Sequence, residues 1–311
     1  MSAAIPIPAD SPRGFAYAMA AYLCWGLLPL YMKALSHIPA TEVIAHRVLW
    51  SLPIAAAVLL WQRRSDDVRA ALRSPRLLAM AGLTAALISV NWLTYVWAVG
   101  NGHALDAALG YYINPLFSVL LGMLFLGEKL TRLKMLSVAL ALSAVVILTV
   151  QAGKLPVVAV LLILSWGLYA YFKKSLPLGP NQGFTLEVLI LTPFAAAFLL
   201  WRQVTGQGAW GDGSLFDIVM LLGCGPVTAI PLLFYANGAK LLRLSTIGVL
   251  QYTTPTMIFL IAVWMFNEPF GTARMIAFPL IWSALAVYTV ALLREAGAAR
   301  RAAMATTRRM Q

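Results

Sequence analysis

The sequence predicts an all-α integral membrane protein of ten transmembrane helices, arranged as two inverted five-helix repeats. Three observations predict it. The 311 residues are 61% hydrophobic and only 11% charged, where a soluble domain is near a quarter charged, and the mean hydropathy is +0.81. The apolar residues gather in ten runs, each close to the about 20 residues that cross a bilayer. Motifs of the first half also return in the second, displaced by an odd number of runs.

The runs cover 14–35, 41–61, 77–100, 106–127, 133–151, 156–172, 181–202, 215–237, 245–266 and 274–293. The first is a retained span and not a cleaved leader, because it is too long for a signal core and contains Trp25, Pro29 and Lys33. Links such as Ser36 to Ala40 and Ala152 to Leu155 are short enough to make neighbours antiparallel hairpins. The shortest run, Pro156 to Phe172, sits at the lower limit for crossing. Cys24 and Cys224 lie inside apolar runs far apart, which suits packing and neither a metal nor a disulfide.

Orientation follows from the basic residues. With the N-terminus in the cytoplasm, eighteen of the 23 fall on the cytoplasmic side, mainly at Arg63 to Arg76, Lys129 to Lys134, Lys173 and Lys174, Lys240 and Arg243, and the C-terminal arginines. The outer side keeps Lys33, Lys154, Arg202 and Arg274, and Arg47 falls within a span. That bias predicts both termini inside. It also accounts for the net charge of +12 without nucleic acid as a partner. The stretch from Ala296 onward, small and basic, is expected to be disordered beside anionic headgroups.

The repeat rests on two pairs. CWGLLPLYMK carries Trp25, Gly26 and Lys33, and SWGLYAYFKK returns them at one constant offset as Trp166, Gly167 and Lys174. Pro115, Glu128 and Lys134 recur as Pro255, Glu268 and Arg274, at an offset that differs from the first by a single position. The chain therefore divides into a tail at 1–13, a first repeat at 14–151, a second at 152–293 and a basic tail at 294–311. Five spans per half is odd, so the second half enters the membrane from the opposite side, an architecture of transporters.

The WG of the first span, EVIAHRVLWS in the second, NWLTYVWAV in the third and LGYYINPL with FLGEKL in the fourth are joined by LRLSTIGVLQYTTPT in the second half. In combination, from about Gly14 to Leu293, these resemble the RarD (chloramphenicol-sensitive protein) group of the EamA, or drug/metabolite transporter, superfamily. The resemblance implies ten helices, a bacterial inner-membrane location and export of metabolites or drugs.

Ionisable groups inside a span are functional candidates, since each costs about 2.5–3.5 kcal/mol on insertion scales. Glu42 and His46 share one helix face, and Arg47 lies about 100° further round. Arg47 either binds an anionic group of the cargo or pairs with Glu42. Glu42 and His46 either exchange a coupling proton or are held in structural contacts. Asn91, Tyr95 and Asn114, with Gln251 and Tyr252 in the second half, either line a central cavity or hold helices together. Pro115 and Pro255 are expected to break their helices and expose backbone to that cavity. Trp25, Trp166, Tyr111 and Tyr112 are candidates for an aromatic lining, whereas Trp61, Trp201 and Trp210 suit the membrane interface. Asp106 suits the start of the fourth span. Glu128 and Glu268 are expected to pair with Lys129 and Arg274.

No phosphate-binding GxxxxGK[ST], HExxH or nucleophile elbow occurs, so no cofactor, metal or enzymatic reaction is expected and transport would be secondary. The partners expected are a small-molecule substrate and the lipid bilayer. The sequence names no cargo, coupling ion or oligomeric state. Two other classes compete: a scaffold or receptor, although no loop here is long enough for a soluble domain, and a membrane-embedded enzyme using Glu42 and His46. Burial of residues 42–47 against the third and fourth spans in a central cavity would favour transport. A surface groove holding Glu42 and His46 would favour the enzyme.

Overall fold

Helices are what an apolar chain of this pattern must form, because only a helix satisfies its own backbone polar groups within a lipid-facing segment. The computed structural model describes residues 11–310, apart from 127–130, 154, 213 and 243, and these residues hold helices and turns with no strand. A helix lies on each of the ten runs. The first half contains α1 (Pro12–Ala34), α2 (Ala40–Trp61), the short α3 (Ser65–Leu72), α4 (Pro75–Gly100), α5 (Ala104–Leu126) and α6 (Arg132–Ala152). The second contains α7 (Val157–Ser175), α8 (Pro180–Val204), the single turn α9 (Ala209–Asp212) and α10 (Leu215–Lys240). It ends with α11 (Leu244–Leu250), α12 (Thr253–Leu260) running into a π-helical turn at Ile261–Met265, and α13 (Thr272–Met310). Seven helices among the described residues are long and apolar enough to cross a membrane, and Val157–Lys173 and Thr253–Met265 are shorter apolar helices.

Local chemistry sets the boundaries. Proline occupies the first turn of α1, α4 and α8, where its missing N–H costs nothing. Ser214 and Asp217 cap α10 reciprocally. The left-handed Gly153 (φ 63°) ends α6.

Two expectations are corrected here. The helices do not break alike at the two prolines: α5 runs unbroken through Pro115, while the ninth run is interrupted at Gln251 and Tyr252. Pro255 then stands in the first turn of α12, where no backbone bond is lost. The C-terminal stretch is not disordered; α13 continues to Met310, consistent with its Ala and Arg content, both strong helix formers.

The helices pack in pairs that map onto one another when the halves are exchanged. If α1, α2, α4, α5 and α6 correspond to α7, α8, α10, α12 and α13, then α2 packs on its own counterpart α8, α5 on α12, and α6 on α13. The contact of α1 with α10 is matched by that of α4 with α7, and α1 with α12 by α5 with α7. The two WG glycines make the last pair possible. A Cβ on Gly26 would collide with Met257 of α12, and one on Gly167 would collide with Phe117 of α5. Phe117 and Met257 are themselves counterparts, each standing two positions after the repeated proline. Small residues at such crossings let backbones approach where lipid offers no hydrophobic drive.

Candidate functional site

Where the two halves meet, side chains from α1, α2, α4, α5, α7, α8, α10 and α12 enclose a central cavity of about 130 Å³. Cavities of about 150 Å³ admit a benzene-sized molecule in other proteins, so this one is of a similar size. Its wall is mostly apolar and aromatic, with few polar groups, the usual composition of a small-molecule site.

The dominant polar group is Arg47 of α2, only 4% exposed. Its Nε donates to Thr228 Oγ1 of α10 at 2.9 Å, and its guanidinium lies 4.8 Å from the Trp92 ring centre of α4. Cation–π contact of this kind is worth about 2 kcal/mol when desolvated, which lessens the burial cost without neutralising the charge. Arg47 Nη1 makes no hydrogen bond among the described residues, and no carboxylate there pairs with it. The expected alternative, a Glu42–Arg47 pair, does not form. Tyr95 Oη, buried on the same wall, also makes no hydrogen bond among the described residues.

Two aromatic groups flank this cation. Trp25 packs against Tyr22 and Tyr235 at 5.8 and 5.6 Å between ring centres, and Trp166 packs against Tyr169 at 5.7 Å. Asn91 ties the third side together: its Nδ2 donates to Leu162 O and Ser165 Oγ of α7, and its Oδ1 accepts from Tyr111 of α5. Asn114, Gln251 and Pro255 complete the lining. Asn91 is therefore both wall and fastener, and the two alternatives for it coincide.

The rest of the predicted set lies elsewhere. Glu42, 1% exposed, accepts from Arg202 Nη2 at 3.0 Å and from the Ala209 N–H of α9 at 2.8 Å. The indole N–H of Trp50 points at His46 Nδ1 (3.0 Å) and that of Trp210 at Nε2 (3.1 Å), and a neutral ring accepts one of the two. These contacts strap the α8–α10 connection across the start of α2, and Glu42 and His46 do not line the cavity. Trp210, 40% exposed, stacks near His46 at 5.7 Å between ring centres. Trp61 and Trp201 are 83% and 55% exposed, as interfacial residues would be. Tyr112 bonds Thr256 at 2.8 Å and borders a separate groove with Tyr252 on the outside of α5, α12 and α13.

One acid differs from expectation. Glu268 accepts the Ala104 and Leu105 N–H groups at the start of α5 (2.7 and 2.9 Å) and does not pair with Arg274. Arg274 reaches Asp106, which sits in the first turn of α5 as expected. The Glu128–Lys129 pairing lies outside the described residues.

Sequence reasoning missed Trp92, Thr228, Tyr22 and Tyr169 in the wall, and the buried cluster in which Glu187 meets Lys173 (2.6 Å) and Tyr169 (3.3 Å). A signal existed for some. Trp92 follows Asn91 within NWLTYVW.

Comparison with known proteins bears on this site. Residues 12–150 match the model of the EamA-like transporter family. An "uncharacterized transporter" of Vibrio cholerae is 40% identical over 297 residues, 96% of this chain and 98% of that protein. "Protein RarD" of Salmonella typhi is 39% identical over 278 residues, 89% and 95% of the two chains. A solved crystal structure, 22% identical, superposes with a TM-score of 0.58 over 90% of this chain and 98% of its own, which speaks to fold alone.

Proposed function

Because the chain belongs to the RarD group of the EamA-like transporter family, we propose that it is a secondary exporter of a small amphipathic solute carrying an anionic group. Membership makes it a bacterial-type multi-pass membrane transporter; cargo, coupling and direction are the further reading. The observation that carries it is Arg47, a buried cation facing the cavity with a hydrogen-bonding nitrogen unused among the described residues. A carboxylate would satisfy it, and the Trp25 and Trp166 groups would hold an apolar body. That favours amino-acid-like cargo over a neutral drug such as chloramphenicol.

Alternating access is supported by the exchangeable helix pairs, since two halves that pack alike can trade conformations. The distribution of basic residues supports a cytoplasmic location for both termini and for the Lys173–Glu187 end. The Glu42–His46 end then faces out. Glu42 is held by Arg202, and His46 packs between the Trp50 and Trp210 indoles, which counts against the enzyme reading. A coupling proton would supply the driving force.

The test is efflux from liposomes holding the purified protein, preloaded with labelled amino acids, amines and chloramphenicol. Saturable efflux of a carboxylate-bearing solute, lost in Arg47→Ala, is the expected result. Efflux of neutral solutes alone, indifferent to Arg47→Ala, would reject the anionic cargo. No efflux of anything in the panel by folded protein would count against export of this solute class.

A further inference from the structure

Two tyrosine hydroxyls of the cavity wall stand near the Arg47 guanidinium, and they are used differently. Tyr95 of α4 and Tyr111 of α5 pack together at 5.8 Å between ring centres, and both line the cavity. Both lie within electrostatic reach of Arg47. Tyr111 donates to Asn91 Oδ1 at 3.2 Å. Tyr95 is only 2% exposed, and its Oη has no partner among the described residues. A hydroxyl buried without a hydrogen bond is destabilising, and phenylalanine would fill the same space without that cost. A buried polar group of this kind on the wall of a site is one that a ligand can complete.

Arg47 is held by contacts that leave part of its fork available. Its Nε is committed to Thr228, whose own proton goes to the Cys224 carbonyl, and its flat face rests on the Trp92 ring. Its Nη1 has no partner among the described residues. Trp92 and Tyr95 are three apart on α4 and therefore neighbours on one face of that helix. The cation on the Trp92 ring and the Tyr95 hydroxyl thus share one stretch of wall. No Asp or Glu lines the cavity among the described residues, so no acid of the protein competes for these donors.

We propose that Tyr95 is the second donor of a carboxylate site, in which Arg47 Nη1 donates to one oxygen of the cargo's carboxylate and Tyr95 Oη to the other. The proposal rests on the anionic-cargo reading above and narrows it. A carboxylate accepts at both oxygens, and bonds to an ionised group are the strong ones. A carboxamide offers one oxygen and turns an NH2 group toward a second donor. The two donors together therefore select acid over amide, by leaving a buried group unpaired against the wrong ligand.

The experiment follows melting of the purified full chain in detergent against rising phenylalanine or phenylacetate, with phenylalaninamide and phenylacetamide as controls. Wild type is compared with Tyr95→Phe, Tyr111→Phe and Arg47→Ala. Without ligand, Tyr95→Phe should melt at or above the wild-type temperature, because its hydroxyl has no bond to lose among the described residues. Tyr111→Phe should melt lower, because Asn91 loses a donor. With acid, Tyr95→Phe should need about tenfold more ligand for the half-maximal shift, as loss of one charge-assisted bond implies. Its response to the amides should not change. If Tyr95→Phe melts as low as Tyr111→Phe without ligand, or weakens acid and amide alike, the hydroxyl is structural and the proposal falls. An acid response that disappears in Arg47→Ala but is undiminished in Tyr95→Phe would overturn the role of Tyr95 and leave the anionic-cargo reading standing. A wild type that responds to neither acid would overturn both.

Discussion

The two ends of the bundle use buried carboxylates differently. Glu42 of α2 and Glu187 of α8 do not occupy equivalent positions of the repeat, yet each is buried against a basic residue. Glu42 reaches across to the other half, to Arg202 and the α9 turn. Glu187 stays within its own hairpin, holding Lys173 and, through Tyr169, one wall of the cavity. At that end the halves are joined by lighter ties, Asn181 to Gln62 and Gln182 to Asp67, and by the partly exposed ion pair of Lys134 with Glu295 at 2.8 Å. A buried glutamate thus serves as a clasp between halves at one end and as a brace within a half at the other.

The largest effect expected is from Glu42→Gln, which leaves Arg202 without its anion. Breaking one side of a buried pair costs about 3 kcal/mol, so thermal unfolding in detergent should fall clearly. Adding Arg202→Met should recover most of that loss, because removing both charges is close to neutral. Glu187→Gln should cost less, about 2 kcal/mol, since Lys173 keeps 21% of its side chain in contact with solvent. If Glu187→Gln proves the more damaging, the assignment of clasp and brace is reversed.

Gly26→Ala and Gly167→Ala sharpen the comparison from the symmetric side. Each forces α1 off α12 or α7 off α5, and each should cost about 1–3 kcal/mol as an overpacked contact does. Near-equal losses in a thermal melt are the expected outcome; a large loss at one glycine only would break the correspondence. Smallest of all, Asn181→Ala should lower stability by about 0.5 kcal/mol, the low end for a half-buried hydrogen bond. A loss as large as that of Glu42→Gln would mean that the ties at this end are not the lighter ones.

Much of this was legible in the sequence because the bilayer imposes it. Length, apolar runs and basic loops located the helices, and the WG repeat pointed to the two halves whose packing turns on Gly26 and Gly167. The position of Arg47 beside Asn91, Tyr95 and Trp166 followed from rarity: a charge or amide inside a span has few places to go. What the sequence hid was pairing between halves. Nothing in the order of residues says that Arg202 reaches Glu42, or that Trp210 turns back to His46. The asymmetry at the prolines was equally invisible, because helix continuity at Pro115 and the break before Pro255 depend on packing more than on the shared proline.

The most direct test of the anionic site is a melting experiment on purified protein with matched ligand pairs. Aromatic and aliphatic amino acids are compared with their uncharged-end amides, on wild type and on Arg47→Ala. If Arg47 receives the cargo's carboxylate, acids raise the melting temperature of the wild type, their amides do not, and the variant responds to neither. Equal stabilisation by acid and amide, or an unchanged response in Arg47→Ala, would contradict it.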